Sequence, residues 1–312
     1  MDALRRAAVR MRLFLPIHSL WKVRVAKAAC KWMRGFHSRK LRYEQKYISR
    51  SDGTKLRLCV YSPLTPRENV PGLLWIHGGG FAIGVPEQDE VYIRRFVEAS
   101  GCVVVSPDYA LSPDAPYPAA LNDCYSALLW LADKGAAYGM REDQIFVGGD
   151  SAGGGLTAAL SLFTRDRGEV KIAFQMPLYP MLDDRPTASN TDNHAPIWDS
   201  AANDMCWKLY LGAQYRTADA SAYAAPARAA DYSGLPPTCT FVGSVEPFRD
   251  ETTAYIERLR EAGVRVHFRE FEGGYHAFDT LAPKAGISKE ASAFLMDAFQ
   301  YAVQHYFTEL SE

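Results

Sequence analysis

Three short stretches carry residue types that do chemistry together. In "GGDSAGGG" (148–155), Ser151 stands between Gly149 and Gly153, where the apolar run "QIFVG" gives way to a helical pattern beginning near Ala152. A serine held in a sharp strand-to-helix turn needs tiny neighbours two positions away on either side, and the turn then pushes its hydroxyl into the open. The helix start adds backbone N–H groups and the positive end of a dipole beneath it. This suits a nucleophile. A phosphate-binding loop is excluded, because no Lys followed by Ser or Thr comes after the glycines.

A serine hydroxyl is a weak nucleophile by itself, so a base must reach it and an acid must orient that base. Of the seven histidines, His18 and His37 fall in a basic N-terminal segment, His77 precedes a glycine run, and His194 lies in a stretch without strands. His267 sits inside the alternating run "VRVHFRE", and His305 in a terminal helical pattern. His276 follows the last apolar run directly, in "FEGGYHAFD", and is the expected base. The acid is expected between Ser151 and His276, beyond a late strand. There "FVGSVEPFRDE" (241–251) offers Glu246, Asp250 and Glu251. Glu246 comes first after the strand and is the expected acid. Asp250 and Glu251 suit the first turn of the following helix, where carboxylates complement the dipole.

The third stretch, "WIHGGGFAIG" (75–84), runs a buried-looking strand into three consecutive glycines, which weaken a fold unless bare backbone is needed there. Acyl transfer supplies the need: each backbone donor aimed at the developing oxyanion is worth on the order of 100- to 1,000-fold in rate. Gly79 and Gly80, with the N–H of Ala152, are the expected donors. His77 is expected to fix this loop by a hydrogen bond instead of moving a proton.

Several elements must position these groups. "YEQKYIS" and "TKLRLCVYSP" alternate in polarity and meet at "SDGT", a hairpin signal. From residue 71 the texture changes to short apolar runs: "GLLWIHG", "CVVVSPDY", "QIFVGGDS", "KIAFQMPLYP", "TCTFVGS" and "RVHFREFE". Amphipathic stretches near 87–99, 118–135, 152–165, 250–262 and 288–307 separate them. Runs buried on both faces that alternate with helices predict an α/β domain, with a mostly parallel sheet flanked by helices and an antiparallel N-terminal strand pair. Residues 182–234 break the rhythm: a helical pattern at 198–212, no convincing strand, and the place of a lid. The expected organisation is a helical cap segment over 1–45, core over 46–181, a cap insert over 182–234 and core over 235–312.

With 48% hydrophobic residues among 312, the chain can bury one large core. Its formal charge of −1 gives no global reason to expect a nucleic-acid partner. Yet residues 1–40 hold eleven of the 35 Lys and Arg but only one of the 36 acids, Asp2, which leaves about −11 on the remainder. The apolar residues of this basic segment are interrupted by Arg10, Arg12 and Pro16, so it is expected neither to span a membrane nor to be a secretory signal. One or two amphipathic helices packed on the main domain is the expectation, with a membrane-surface helix as the alternative. The six cysteines are scattered without a CxxC pair and are expected to be reduced core residues of a cytoplasmic protein. The acidic run "DDRPTASNTDNH", with Asp183, Asp184, Asp192 and His194, lacks a recognised cation-ligand spacing and is expected to be a solvated cap loop.

Taken together, "HGGGF" (77–81), "SPDYALSPDAPYPAALND" (106–123), "GDSAGG" (149–154), "EPFRDE" (246–251) and "YHAFD" (275–279) resemble the hormone-sensitive-lipase-like family of α/β-hydrolases, bacterial family IV, which contains many microbial carboxylesterases and acetyl esterases. The resemblance runs from about residue 55 to the C-terminus. It implies a serine esterase without metal or organic cofactor, with Ser151 as nucleophile, His276 as base, and oxyanion donors at Gly79, Gly80 and Ala152. It also implies a cap built from the N-terminal segment and the insert. The family more often carries Asp where this chain has Glu246.

The expected reaction is hydrolysis of short-chain esters, acetyl to about hexanoyl, through an acyl-enzyme. An amide or arylformamide would use the same groups. A ligand-binding receptor of this fold is expected to lack part of the triad. Phe81, Asp150, Trp198, Trp207 and Tyr210 are candidate pocket residues, with Tyr215 nearby, and the aromatic ones fit a cap core equally well. The expected partner is a small-molecule ester and no nucleic acid, with a membrane surface contact through residues 1–40 and a homodimer as further alternatives.

Overall fold

The computed structural model describes residues 18–309. Helix α1 (Leu20–Lys31) precedes a hairpin of β1 (Leu41–Ser49) and β2 (Lys55–Pro63). Strands and helices then alternate through β3 (Val70–Ile76), α2 (Glu90–Ser100), β4 (Val103–Pro107), α3 (Ala119–Lys134), β5 (Met140–Asp150), α4 (Ala152–Arg167) and β6 (Phe174–Leu178). After α5 (Ser200–Leu211) come β7 (Thr238–Gly243), α6 (Arg249–Glu261), β8 (Val266–Phe271), the single turn α7 (Phe278–Leu281) and α8 (Gly286–His305).

The eight strands form one sheet in the order β1-β2-β4-β3-β5-β6-β7-β8. The β1–β2 and β2–β4 pairs are antiparallel and the others parallel. Consecutive side chains of a strand point to opposite faces, so a sheet covered on both sides needs apolar residues at every position. Leu74 and Ile76 of β3 enter one core with Leu121 and Leu128 of α3 and Leu156 of α4. Their neighbours Leu73 and Trp75 enter the other, with Phe96 of α2 and Phe299 of α8.

The chain leaves β3 for β4 on one side and returns past β3 to β5 on the other. The C-terminal ends of β3 and β5 therefore lie side by side, Ile76 opposite Gly149, where the winding reverses. Loops splay apart at such a switch point and leave a crevice for chemistry.

Residues 182–234 contain α5 and two 3₁₀ turns, Gly212–Gln214 and Pro226–Arg228, and no strand. Asp199 caps α5 by accepting from the Ala202 N–H at 2.9 Å, and the His18 ring bonds the same carboxylate at 2.8 Å. Val23 of α1 joins the cluster that holds Trp198 and Trp207. The segment that leads into the N-terminal helix is thus tied to the insert, while residues 1–17 of the expected cap segment lie outside the described residues.

The acidic run departs from expectation. Asp184 is buried against Arg228, at 2.6 and 3.0 Å, and Asp183 is paired with Arg185 at 2.8 Å. Buried carboxylates persist only when paired, and Arg228, 44 residues further on, is a partner that spacing does not announce. Of the four titratable residues named in the run, Asp192 and His194, in contact with each other, are exposed as a solvated loop requires. No group of His, Cys, Asp and Glu among the described residues is arranged to hold a metal ion. The six cysteines are free thiols, five of them buried. No described helix is long and apolar enough to cross a membrane.

Candidate active site

Ser151 sits between the end of β5 and the first residue of α4 with φ 57° and ψ −120°, a conformation that costs a non-glycine residue about 1–3 kcal/mol. Hydrogen bonds on both sides hold it there: its N–H donates to Leu178 O at 2.9 Å, and its carbonyl accepts from Gly155 and Met181. The flanking glycines are needed for space, since the end of β3 presses against the turn. A Cβ on Gly149 would lie 2.4 Å from Ile76 O, and one on Gly153 only 2.0 Å from the same atom.

The Ser151 hydroxyl lies 2.8 Å from His276 Nε2, and His276 Nδ1 lies 2.7 Å from Glu246 Oε2. Glu246 accepts a second bond, 3.1 Å, from the Gly243 N–H at the end of β7, which fixes the carboxylate to the sheet. All three side chains are almost wholly buried. The two rival acids face elsewhere. Asp250 accepts from the Ser189 N–H at 2.8 Å and Glu251 from the Leu182 N–H at 2.7 Å, so both tie α6 to the insert. Burial pushes the Glu251 carboxyl well above the usual range.

The glycine run needs bare backbone for a different reason at each position. Gly78 donates its N–H to Asp150 at 2.9 Å, and a Cβ there would fall 2.6 Å from that carboxylate. Gly79 has φ +125° and a Cβ on it would strike Ile83 O at 2.2 Å. Gly80, at φ +60°, faces Trp198 and Cys206, whose side chains would stand 2.5 and 2.8 Å from an added Cβ. No hydrogen bond to a described residue occupies the N–H groups of Gly79, Gly80 or Ala152. His77 is buried beneath the loop, donates from Nδ1 to Gly78 O at 2.8 Å and stacks on Tyr109 at 4.2 Å. Burial lowers its pKa, which favours the neutral ring.

The candidate pocket residues separate into four groups. Trp198 stands 6.0 Å from the His276 ring, centroid to centroid, beside Phe248 at 5.2 Å. Phe81 stacks on Tyr210 at 3.9 Å and tilts against Trp207, forming an aromatic nest between the loop and α5. Tyr215 is turned away, bonded to Asp204. Asp150 braces Gly78, and its partner is the buried Asp89, which also accepts from the Trp75 indole at 3.0 Å. Burial, with Asp150 beside it, pushes the Asp89 carboxyl well above the usual range, and burial raises the Asp150 carboxyl as well.

Sequence reasoning missed Phe248, Cys206 and Asp89. Phe248 was within reach, because it lies two residues after Glu246 inside "EPFRDE". It also missed a support beneath His276: the Tyr92 hydroxyl bonds both Asp279, three residues after the histidine, and Tyr179 at 2.8 Å. Burial raises the Asp279 carboxyl to about 6. A carboxyl pKa above the unfolded value of about 3.9 means tighter proton binding in the fold, so its stabilising share is complete below about pH 4 and is lost as pH rises through 6. Asp279→Asn cannot ionise. Relative to wild type it is expected to gain about 2 kcal/mol between pH 4 and 7 and then level off, as read from urea midpoints at fixed pH values. A difference independent of pH would remove Asp279 as a buried titrating group.

Against this geometry, similarity to known proteins is informative. A family model described as the alpha/beta hydrolase fold matches residues 73–280. Carboxylesterase NlhH of Mycobacterium tuberculosis is 33% identical over 273 residues, which cover 84% of this chain and 83% of that protein. An arylesterase of Saccharolobus solfataricus is 32% identical over 227 residues, 72% of this chain and 73% of its own length. Among solved structures, a bacterial heroin esterase superposes with a TM-score of 0.86 at 34% identity, covering 96% of this chain and 97% of its own.

Proposed function

The chain belongs to the alpha/beta hydrolase fold family and is a carboxylic ester hydrolase, and from that premise we propose that it cleaves short-chain esters, acetyl to about hexanoyl, through an acyl-enzyme on Ser151. The observation that carries this reading is the unbroken chain of hydrogen bonds from Ser151 Oγ through His276 to Glu246, at 2.8 and 2.7 Å.

His276 donates its Nδ1 proton to Glu246, which leaves Nε2 to accept the proton of the serine hydroxyl as Oγ attacks the ester carbonyl. The unoccupied N–H groups of Gly79, Gly80 and Ala152 receive the negative charge that develops on the former carbonyl oxygen. His276 then protonates the leaving alcohol, and the acyl group stays on Ser151. Water repeats the sequence: His276 takes its proton, the acid is released and the serine is regenerated. Glu246 stabilises the imidazolium in both halves. Aromatic rings of Trp198, Phe248 and Tyr179 surround the imidazole and keep bulk water from it. No partner in this relay is missing, which favours an enzyme over a receptor.

The short acyl limit is supported by the closeness of the insert to the relay, with Trp198 standing 6.0 Å from the His276 ring. Hydrolysis of p-nitrophenyl esters from acetate to palmitate tests it. The expected result is kcat/KM highest for acetyl to hexanoyl and lower by about 100-fold at palmitoyl. A profile that keeps rising to long chains would overturn the limit. Faster turnover of the matching anilide than of the ester would overturn the choice of ester over amide.

A further inference from the structure

The outer face of α1 is apolar where a soluble surface is usually polar. Trp21 is 63% exposed, Val25 59%, Trp32 83% and, just beyond the helix, Phe36 73%. Trp21, Val25, Ala28 and Trp32 are spaced i, i+4, i+7 and i+11, which places them within an arc of about 60° on a helix of 3.6 residues per turn. The opposite arc carries the buried Val23 and the half-buried Cys30 that seat the helix on the body. This is two-sided amphipathicity: one apolar stripe is used by the fold and the other is left uncovered by any described residue.

Charge divides in the same way. Between His18 and Lys40 there is no acid and there are seven Lys or Arg. Two of them are consumed by the fold, Lys27 by Asp114 and Arg34 by Asp108 at 2.7 Å. Arg24, Lys31, Arg39 and Lys40 pair with no described acid, and Arg24 and Lys31 border the Trp21–Trp32 stripe along one edge. Exposed tryptophans with basic residues beside them suit the boundary between acyl chains and anionic headgroups, where the indole ring buries its apolar body and the cations meet phosphate.

We propose that α1 is a membrane-surface docking element that lays Trp21, Val25, Trp32 and Phe36 into the interface of an anionic lipid bilayer. The helix is joined to the insert by the His18–Asp199 bond, and Asp199 adjoins Trp198, which faces His276. Docking therefore turns the cap side of the enzyme toward the bilayer. The inference is independent of the triad assignment, since binding is read without turnover.

Flotation of the full chain with phosphatidylcholine vesicles, with and without about 30% phosphatidylglycerol, tests it. The expected result is co-flotation with the anionic vesicles alone, weakened as salt is raised. Binding should fall about tenfold or more in Trp21→Gln/Trp32→Gln and severalfold in Arg24→Gln/Lys31→Gln. Turnover of a soluble ester without vesicles should stay within about twofold of wild type in both variants. Absence of flotation overturns the proposal, and so does flotation that survives the tryptophan changes, which would assign the contact to another part of the chain. Light scattering decides a further rival: a wild-type dimer that becomes monomeric in the tryptophan variant would identify a second copy as the occupant of this face.

Discussion

Ser151→Ala is expected to lower kcat for p-nitrophenyl acetate by about 10⁵- to 10⁶-fold and to abolish the burst of p-nitrophenol at high enzyme concentration. The hydroxyl is the atom that the 2.8 Å contact delivers to His276. What activity remains comes from the backbone donors and from binding alone. The same position supplies a stability control. Alanine keeps a Cβ at φ 57° and ψ −120°, whereas glycine has none, so Ser151→Gly should be as inactive as Ser151→Ala and more stable than it by about 1 kcal/mol in urea unfolding. Retained turnover in either variant would remove the acyl-enzyme. Equal stability of the two would remove the strain.

Glu246→Gln is the second large effect, with an expected loss of about 10⁴-fold in kcat. The amide is nearly isosteric but neutral. It presents either a donor to Nδ1, which forces the wrong tautomer, or a carbonyl that cannot stabilise the imidazolium. Glu246→Asp tests reach as well as charge. Its carboxylate must draw back from the 2.7 Å contact with Nδ1 or from the 3.1 Å contact with the Gly243 N–H, and a displacement near 1 Å is expected to lower activity by about 100-fold. Asp250→Asn should stay within about threefold of wild type, because its carboxylate bonds the insert at Ser189 and not the histidine. A larger loss in Asp250→Asn than in Glu246→Gln would reverse the assignment of the acid.

Much of this was legible in the order of residues. The buried strands announced themselves because a sheet covered on both faces leaves no polar position in a strand, as "GLLWI" and "CVVV" show. Ser151 and the Gly79–Gly80 loop were legible because backbone demands, a sharp turn and bare donors, restrict residue type locally, and His276 by its place directly after the last apolar run. Glu246 rested on its place after β7, and the same stretch also offered Asp250 and Glu251, whose different tasks depend on what the insert brings to them. Asp183 and Asp184 misled for the same reason, since their arginine partners make a buried pair look like a solvated run.

By itself, then, the sequence determined the alternation of elements, the positions where the backbone had to turn sharply or stay bare, and the short set of side chains able to transfer a proton. Those are local properties, dictated by sterics within a few residues. Only the tertiary structure decided which carboxylate meets the imidazole, which aromatic rings wall it and which pack behind Phe81, and that Asp150 leans on Asp89 beneath the glycine loop. It also decided which of the two apolar sides of α1 is covered by described residues. These are facts of distance between residues far apart in the chain, set by how the layers pack, and no periodicity along the chain encodes them.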